Sequence, residues 1–517
     1  MSKESRTHKS LLNAKVNLTF YLLSLLLSFF SRKMFLDHLG ADFIGLTGTL
    51  GNILGFLNLA ELGVGASVSY ALYQPIAKGN REEISRIVSV FGCLYRYIGC
   101  FVLAAGIIVS AFFPLMFQHT IFELGIIYFA FFSLLTSSLI GYFINYRSIL
   151  LYADQKNYVV TAYFQTAILI KTLVQMALVC YTANLYLWVS IELVYSFIHA
   201  TILNWKIRQT YPWLNASAAV GNKVRSQYPE IVQKTKQVFV HKIKDFLLQQ
   251  SDQILIFAFV SLKMVAYYGN YTLVVGRLTM LFTTMMGGIV AGVGNLIAEG
   301  DKEKIQRVFG EMLFTHYVIA GIVVFAVYQG IQPFIYLWLG QEYLLSHPIL
   351  ILLLVNAFIM LSRGAVDTFN TACGNYHDTW TAWVEGIINI SVTIFSCIQW
   401  GLAGVLIGKI ASLVPIIVIW KPLFLYRTSF KRSIWHYWKT VALTWLGFAI
   451  AFGIASYSSR LLPFDPYHDF MQWTSYCVSL TAIFVLLYVI TLFLFTQGAK
   501  DMTHRVINTM LKNNRMS

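Results

Sequence analysis

The sequence predicts an all-α polytopic membrane protein with about fourteen transmembrane helices. Of its 517 residues, 57% are hydrophobic and only 12% are charged, whereas soluble proteins carry about 25% charged residues. The mean hydropathy is +0.64. Hydrophobic segments recur along the chain at the length of about 20 residues that a bilayer-crossing helix needs. These observations exclude a soluble enzyme, a disordered protein and a secreted disulfide scaffold.

Fourteen segments are predicted to span the membrane, and glycines make the second one bent or closely packed. In chain order the spans cover 14–36, 44–72, 89–115, 123–146, 158–180, 184–204, 238–260, 265–296, 309–334, 347–372, 380–400, 403–421, 440–458 and 471–496. We expect two six-helix lobes, 1–204 and 238–422, joined by a polar cytoplasmic linker at 205–237. Residues 423–517 then supply two further helices and a cytoplasmic tail.

The distribution of positive charge predicts the orientation. With the N-terminus inside, 27 of the 38 Lys and Arg residues fall in inside loops and termini, and only Lys263 and Arg460 fall in outside loops. Cytoplasmic loops of membrane proteins carry such an excess. We therefore predict a multi-pass protein of the cytoplasmic membrane with both termini in the cytoplasm. These loops also explain the net charge of +15, so nucleic acid is not an expected partner.

The chain contains an internal repeat at an offset of 221 residues. AKGNREEISRIV at 77–88 follows the second span, and AEGDKEKIQRVF at 298–309 follows the eighth. At the same offset, Gly48 matches Gly269 and Gly55 matches Gly276. Six spans separate the copies, so both halves have the same orientation. This is the parallel repeat class of secondary transporters.

Polar side chains recur on single faces of several predicted spans. Because an ionisable group at a helix centre costs about 2.5–3.5 kcal/mol, such residues usually face a cavity or a partner. Together they predict a water-accessible cleft between the lobes. They are Arg32 in span 1, His241, Asp245, Gln249 and Asp252 in span 7, Asn270 and Arg277 in span 8, Asn356, Arg363, Asp367 and Asn370 in span 10, and Glu385 and Asn389 in span 11.

Structural roles explain some of these residues equally well. Arg363 and Asp367 lie one turn apart and could simply neutralise each other. Glu61 and Glu192 fit packing residues with satisfied hydrogen bonds. Arg277 lies too deep in its span for an easy escape to the surface, which favours a cavity role, whereas no polar stripe orients Lys171. The six cysteines lie in or beside apolar stretches and fit small core hydrophobes.

No catalytic motif is present. The sequence contains no Walker-type GxxxxGKS, no HExxH, no metal-spaced Cys/His set and no nucleophile elbow. The predicted outside loops are too short for a catalytic domain. We therefore expect a transporter rather than an enzyme, with no metal or cofactor other than a coupling cation such as H⁺ or Na⁺.

One segment resembles a known family. FLDHLGADFIGLTGTLGNILGFLNLAELGVGASVSYALYQPIAKGN, at 35–80, resembles the second-helix region of bacterial polysaccharide repeat-unit flippases of the multidrug/oligosaccharidyl-lipid/polysaccharide exporter superfamily, and HKIKDFLLQQSDQILI at the start of span 7 is also similar. The resemblance implies transfer of undecaprenyl-pyrophosphate-linked oligosaccharide to the outer leaflet for O-antigen, capsule or exopolysaccharide assembly. The implied partners are this lipid-linked oligosaccharide, membrane lipid, a polysaccharide polymerase and a chain-length regulator.

The resemblance also implies a cationic cavity, to which Arg32, Arg277 and Arg363 would belong, with Asn270 and Asn356 beside them. Guanidinium groups suit pyrophosphate because they form charge-assisted, often bidentate hydrogen bonds. Ion-coupling candidates are Asp245, Asp252, Asp367 and Glu385.

Three alternatives stay open. A multidrug exporter of the same fold would favour an acidic, aromatic cavity. A lipid II flippase shares the two extra helices. A membrane polymerase or ligase usually needs a large outer loop, which this chain lacks.

Overall fold

The protein is almost entirely helical. The computed structural model describes residues 6–61, 63–154, 156–231, 233, 235, 252–287, 290–375, 377–378 and 380–503. All regular secondary structure among them is helical. Eleven of these helices are long and apolar enough to cross a membrane, and the shorter Ala41–Leu57 is apolar too. The predicted fold class is therefore confirmed.

The chain forms two compact units, and the first is Met1–Ala266. Its core lies around α3, α4, α7 and the ends of α8 and α9, where Val68, Leu72 and Leu151 are fully buried. Its described helices are α1 (Arg6–Leu39), α2 (Ala41–Leu57), α3 (Val64–Lys78), α4 (Arg81–Ser110), α5 (Phe113–Met116), α6 (Leu124–Phe143), α7 (Ile149–Ala153), α8 (Asn157–Thr182), α9 (Leu185–Thr210) and α10 (Ala218–Val224), with 3₁₀ segments at Asn58–Glu61, Asn145–Ser148 and Arg225–Gln227.

The second unit is Tyr267–Ser517. Its first described helix, α11, begins at Leu262 within the first unit. The described helices are α11 (Leu262–Gly287), α12 (Val290–Glu299), α13 (Lys302–Leu339), α14 (His347–Ser362), α15 (Gly364–Ala372), α16 (Trp380–Trp400), α17 (Leu402–Leu413), α18 (Lys421–Leu425), α19 (Trp435–Ser458) and α20 (Phe470–Phe495), with π-helical turns at Val414–Trp420 and Tyr426–Phe430 and 3₁₀ segments at Gln341–Tyr343 and Ser459–Leu461.

The predicted second span is both broken and closely packed, as its glycines suggested. Between α2 and α3 the chain passes through a 3₁₀ turn, and Gly63 adopts φ +92°, a left-handed conformation that favours glycine. Gly45 lies against the backbone carbonyl of Leu262, where a Cβ atom would collide with main chain. Span 8 corresponds to α11 and α12, and residues 288–289 between them lie outside the described residues. Most of span 7, 238–260, lies outside the described residues.

The two copies of the repeated loop have the same local geometry. Gly79 ends α3 at φ +68° and Gly300 follows α12 at φ +76°. The next residue caps the following helix in each copy. Asn80 accepts a hydrogen bond from the Glu83 backbone N–H, and Asp301 accepts from Glu303 and Lys304. Each loop then leads into a long helix, α4 in the first unit and α13 in the second.

The two C-terminal helices pack on α13 within the second unit. The Phe325 ring of α13 stacks on Phe484 of α20, with ring centroids 4.2 Å apart. Gly321 leaves room for the Tyr488 ring, which a Cβ atom would meet at contact distances too short to be tolerated. The pair outside the repeat therefore belongs to the core of this unit.

Part of the predicted cytoplasmic linker is docked on the first unit. Gly221 of α10 lies against the Ser89 carbonyl, and the Ser217 backbone N–H donates to Ser89 Oγ at 3.1 Å. Further along, the Tyr228 hydroxyl donates to Glu83 Oε1 at 2.7 Å. Burial, followed by this contact with Glu83, raises the pKa of Tyr228 above its usual value. The lobe boundaries proposed from the sequence stay a prediction.

The six cysteines are all free thiols. Cys93 and Cys397 are buried, as expected of core hydrophobes, but Cys100 and Cys180 are exposed, so the expectation is wrong for those two. In a membrane chain the lipid-facing surface is as apolar as the interior. Apolar neighbours in the sequence therefore do not distinguish a core position from one facing the bilayer.

Candidate functional site

The charged pair predicted in span 10 lies at a helix break. Arg363 ends α14 and donates from Nε to the Asp367 carboxylate one turn on in α15, so the two side chains neutralise each other. Asp367 and the buried His316 line one small cavity of about 190 Å³. Gly364 is required here because the His316 ring occupies the space of a Cβ atom. Arg363 thus shares its charge with an acid that lines the cavity, although Arg363 itself is not one of the lining residues.

Asn356 lies away from that cavity, in contact with a neighbouring helix. It is buried, and its Nδ2 donates to the Leu352 carbonyl at 2.9 Å and to the Leu406 carbonyl of α17 at 3.3 Å. Its Oδ1 is buried without a hydrogen-bond partner among the described residues. The amide therefore ties α14 to α17, and its predicted role in substrate binding stays a prediction.

Arg277 and Asn270 lie two turns apart on α11, on the same face of the helix. Asn270 is completely buried, whereas Arg277 is half-buried in the helix interior. Arg32 lies in the first unit, on α1. Its Nη2 donates to the Ala266 carbonyl at 3.0 Å, which links α1 to the first turns of α11. The structure therefore describes Arg32 and Arg277 in different surroundings, Arg32 on a backbone carbonyl and Arg277 half-buried within α11.

Two of the predicted acidic residues are buried, whereas the Asp367 side chain is 35% exposed. Asp252 is 3% exposed and Glu385 is fully buried. Glu385, Asn389 and Thr393 recur at intervals of four along the buried face of α16. Gly408 of α17 lies against the Thr393 backbone, so the two helices approach closely beside this polar face. Asp245, with His241 and Gln249, lies outside the described residues.

The first unit contains a polar cavity that the charged stripes of the sequence do not indicate. Its volume is about 570 Å³, and it lies between the first turns of α8, the N-terminal half of α4 and the C-terminal halves of α6 and α9. Glu61, at the break between α2 and α3, lines it and accepts a hydrogen bond from the Tyr95 hydroxyl. The sequence leaves Glu61 open between a packing role and a functional one. The structure places it at a cavity wall.

Neutral polar groups make up much of this wall. Asn58 Oδ1 accepts hydrogen bonds from Ser138 Oγ and the Tyr142 hydroxyl, both at 3.0 Å. His199 Nε2 is buried and has no hydrogen-bond partner among the described residues. Spacing could have revealed this wall, because Ser138, Tyr142 and Asn145 of the α6 region recur at intervals of four and three. The distribution of charged residues alone could not have revealed it.

A part-buried ion pair joins α8 and α9. Lys171 Nζ is 2.6 Å from Glu192 Oε1, and the two side chains are 17% and 19% exposed. Gln175 Nε2 donates to the Trp188 carbonyl at 3.1 Å and makes a longer contact with Glu192. The partner that the sequence could not assign to Lys171 is therefore Glu192, and the packing role for Glu192 is the one described.

The fold resembles those of two kinds of solved membrane protein. A solved structure of the lipid II flippase MurJ, in an inward closed conformation, matches with a TM-score of 0.63 and 14% identity over 94% of this chain and 98% of that one. An inward-facing multidrug resistance MATE family transporter of the MOP superfamily matches with a TM-score of 0.55 and 14% identity, over 80% of this chain and 96% of that one.

At these identities the likeness establishes a shared fold. No protein-family model and no curated protein sequence matches the chain. The two matched proteins are a flippase and a transporter, and this chain shares their fold.

Proposed function

We propose that the chain is a flippase that moves undecaprenyl-pyrophosphate-linked oligosaccharide repeat units from the cytoplasmic to the outer leaflet of a bacterial inner membrane, for surface polysaccharide assembly. The observation that carries the proposal is Arg277, half-buried in the interior of α11, the helix that corresponds to the first part of predicted span 8. A guanidinium group inside a membrane span is energetically costly, and the residues that carry one there usually serve a function. A pyrophosphate is the kind of anion that it binds well.

The fold supports a lipid substrate over a soluble drug. The match to the lipid II flippase extends over more of the chain than the match to the multidrug transporter. The two coverages, 94% and 80% of this chain, differ by about the length of the C-terminal pair α19–α20. That pair packs on α13. A lipid-linked substrate has a polar head that needs a hydrated cavity and a polyprenyl tail that stays in the bilayer.

In this proposal Arg277 holds the pyrophosphate, and Arg32 and Arg363 with Asn270 and Asn356 are further head-group contacts. Arg363 has Asp367 as its partner in the structure, so its engagement requires that pair to open. The acids Asp245, Asp252, Asp367 and Glu385 are proposed to couple transport to a cation gradient, H⁺ or Na⁺. A polysaccharide polymerase and a chain-length regulator are the proposed protein partners.

The test uses a strain that lacks the chromosomal copy and expresses full-length variants. Arg277→Ala should abolish surface polymer and accumulate lipid-linked oligosaccharide at normal membrane abundance, and Arg277→Lys should retain part of the export, because an ammonium is a point donor. The control is Arg460→Ala, whose guanidinium lies over the Tyr457 ring next to α19. Full export by Arg277→Ala per unit of folded protein would remove this residue from the site.

A lipid II flippase is the second candidate, and the shared fold with MurJ favours it specifically. The chain would then restore growth when an essential lipid II flippase is depleted, with surface polymer unaffected by its loss. A multidrug exporter would instead give drug sensitivity on deletion, with intact polymer. The same deletion strain separates all three functions.

A further inference from the structure

We propose that the cavity of the first unit, lined by Glu61, Asn58, Tyr142, Thr161, Gln165 and His199, binds the saccharide of the lipid-linked substrate before transfer. This inference rests on the proposed function and assigns the sugar and the pyrophosphate to different places. The volume of about 570 Å³ lies within the range of about 300–1,000 Å³ that small-molecule pockets show.

The chemistry of the wall matches a sugar. Hydroxyl and amide groups such as those of Thr161 and Gln165 each donate and accept hydrogen bonds, as sugar hydroxyls do. The rings of Phe91, Tyr95 and Phe164 supply the flat apolar surface that sugar C–H faces cover. The buried Nε2 of His199 lacks a partner among the described residues. A buried polar atom of this kind costs about 1–3 kcal/mol unless a ligand or water satisfies it.

Other ligand classes fit less well. Within the described chain, neither lysine nor arginine lines the cavity, so it does not suit a pyrophosphate. A hard metal cation needs six or more oxygen ligands, and Glu61 is the one carboxylate that the described residues contribute to the wall. An organic cation would use Glu61 and the aromatic rings but would leave the amides and hydroxyls of the wall unpaired.

The position of the cavity fits the first step of transfer. The parts of α4, α6, α8 and α9 that line it are those nearest the loops that the charge distribution predicts to be cytoplasmic. Lipid-linked oligosaccharide would present its sugar from that side. Capture of the sugar here would leave the pyrophosphate free to reach Arg277 in a separate contact.

The experiment uses the purified full chain in lipid nanodiscs, with methyl glycosides of hexoses and N-acetylhexosamines as probes and saturation-transfer NMR as the readout. We expect saturating binding to the wild type, and binding about tenfold weaker in the double variant Thr161→Val/Gln165→Leu. Thr201→Val, on the exposed face of α9 where the hydroxyl donates to the Phe197 carbonyl of its own helix, should bind like the wild type.

Two further measurements make the outcome decisive. Inorganic pyrophosphate should bind the double variant as it binds the wild type, whereas Arg277→Ala should lose pyrophosphate and keep the glycoside. In cells, the double variant should accumulate lipid-linked oligosaccharide. No binding of any glycoside by the wild type, or equal binding by wild type and double variant, overturns the inference. So does tetraphenylphosphonium binding that Glu61→Gln abolishes, which would indicate an organic-cation site. If glycosides bind at these residues but deletion leaves surface polymer intact, the proposed function fails while the saccharide site stands.

Discussion

Removing Lys171 should destabilise the first unit far more than removing both partners of its ion pair. Lys171 Nζ lies 2.6 Å from Glu192 Oε1, with less than a fifth of each side chain exposed. Lys171→Met keeps the length of the side chain but leaves the Glu192 carboxylate with only the long contact from Gln175. Breaking a buried ion pair on one side costs about 3–5 kcal/mol, because a charge is left without its partner.

The double variant Lys171→Met/Glu192→Gln should recover most of that loss. It buries no charge, and the amide introduced in place of the Glu192 carboxylate can still pair with Gln175. Its free energy of unfolding should therefore lie within about 1 kcal/mol of the wild type. The measurement is the free energy of unfolding of the purified chain in mixed micelles titrated with sodium dodecyl sulfate. Arg86→Met is the matched control, because its pair with Glu82 is exposed to water and should contribute nothing measurable.

A double-mutant cycle decides the outcome. The reasoning requires a coupling energy of at least about 2 kcal/mol between the two sites. If the effects of the single variants simply add, the pair does not stabilise the α8–α9 contact. The same result would remove the ion pair as the reason why these two residues are tolerated in a membrane helix.

Three further predictions concern packing, pH and topology. Gly408→Ala should cost about 1–3 kcal/mol, because its Cβ would press on the Thr393 backbone. Gly386→Ala on α16 meets no atom within 4 Å and should not lower the thermal-unfolding midpoint. Equal midpoints for both variants would contradict the close α16–α17 approach. Asp469 caps α20, and its hydrogen bond from Gln472, followed by His468, lowers the pKa of its carboxyl. The stabilisation that the Asp469 carboxylate contributes is therefore present above its unfolded pKa of about 3.9 and is lost as pH falls through the lowered folded pKa. The unfolding midpoint of Asp469→Asn should lack this acid-dependent part. An acid dependence equal to that of the wild type would refute the role of the cap. Reporter fusions at Ser517 and within 340–346 should report opposite sides of the membrane, inside and outside respectively, and the same side for both would refute the charge-based orientation.

The sequence was most informative about features that the bilayer itself imposes, above all the length of the apolar segments. Apolar length and the 221-residue offset predicted the helices and the repeated loop, because a spanning helix and a left-handed glycine turn leave little freedom of residue type. Glycine content predicted the break before α3. The same reasoning misjudged Cys100 and Cys180, because burial in protein and exposure to lipid select the same apolar residues.

The candidate site was harder to predict, because a search for charged residues within spans does not find a cavity whose wall consists mainly of neutral polar side chains. The sequence leaves Arg363 open between a cavity role and neutralisation by Asp367, and the structure shows that the two side chains pair. Only the three-dimensional structure shows that Lys171 and Glu192 meet across two helices. The cavity of the first unit depends on serines, amides and tyrosines from several helices. Each is ordinary in its own segment, and only their convergence makes a site.

The docked segment after α9 has a consequence for how the chain is made. Ser217 reaches back 128 residues to Ser89. At the usual rates of synthesis of about 5–20 residues per second, the face of α4 that receives it stays uncovered for roughly 6–25 s. During that interval the newly inserted hairpins offer an open apolar surface to other nascent chains and to chaperones. Completion of the first unit is thus timed by translation, and slowing the ribosome between codons 110 and 230 should lengthen its period of vulnerability to proteolysis.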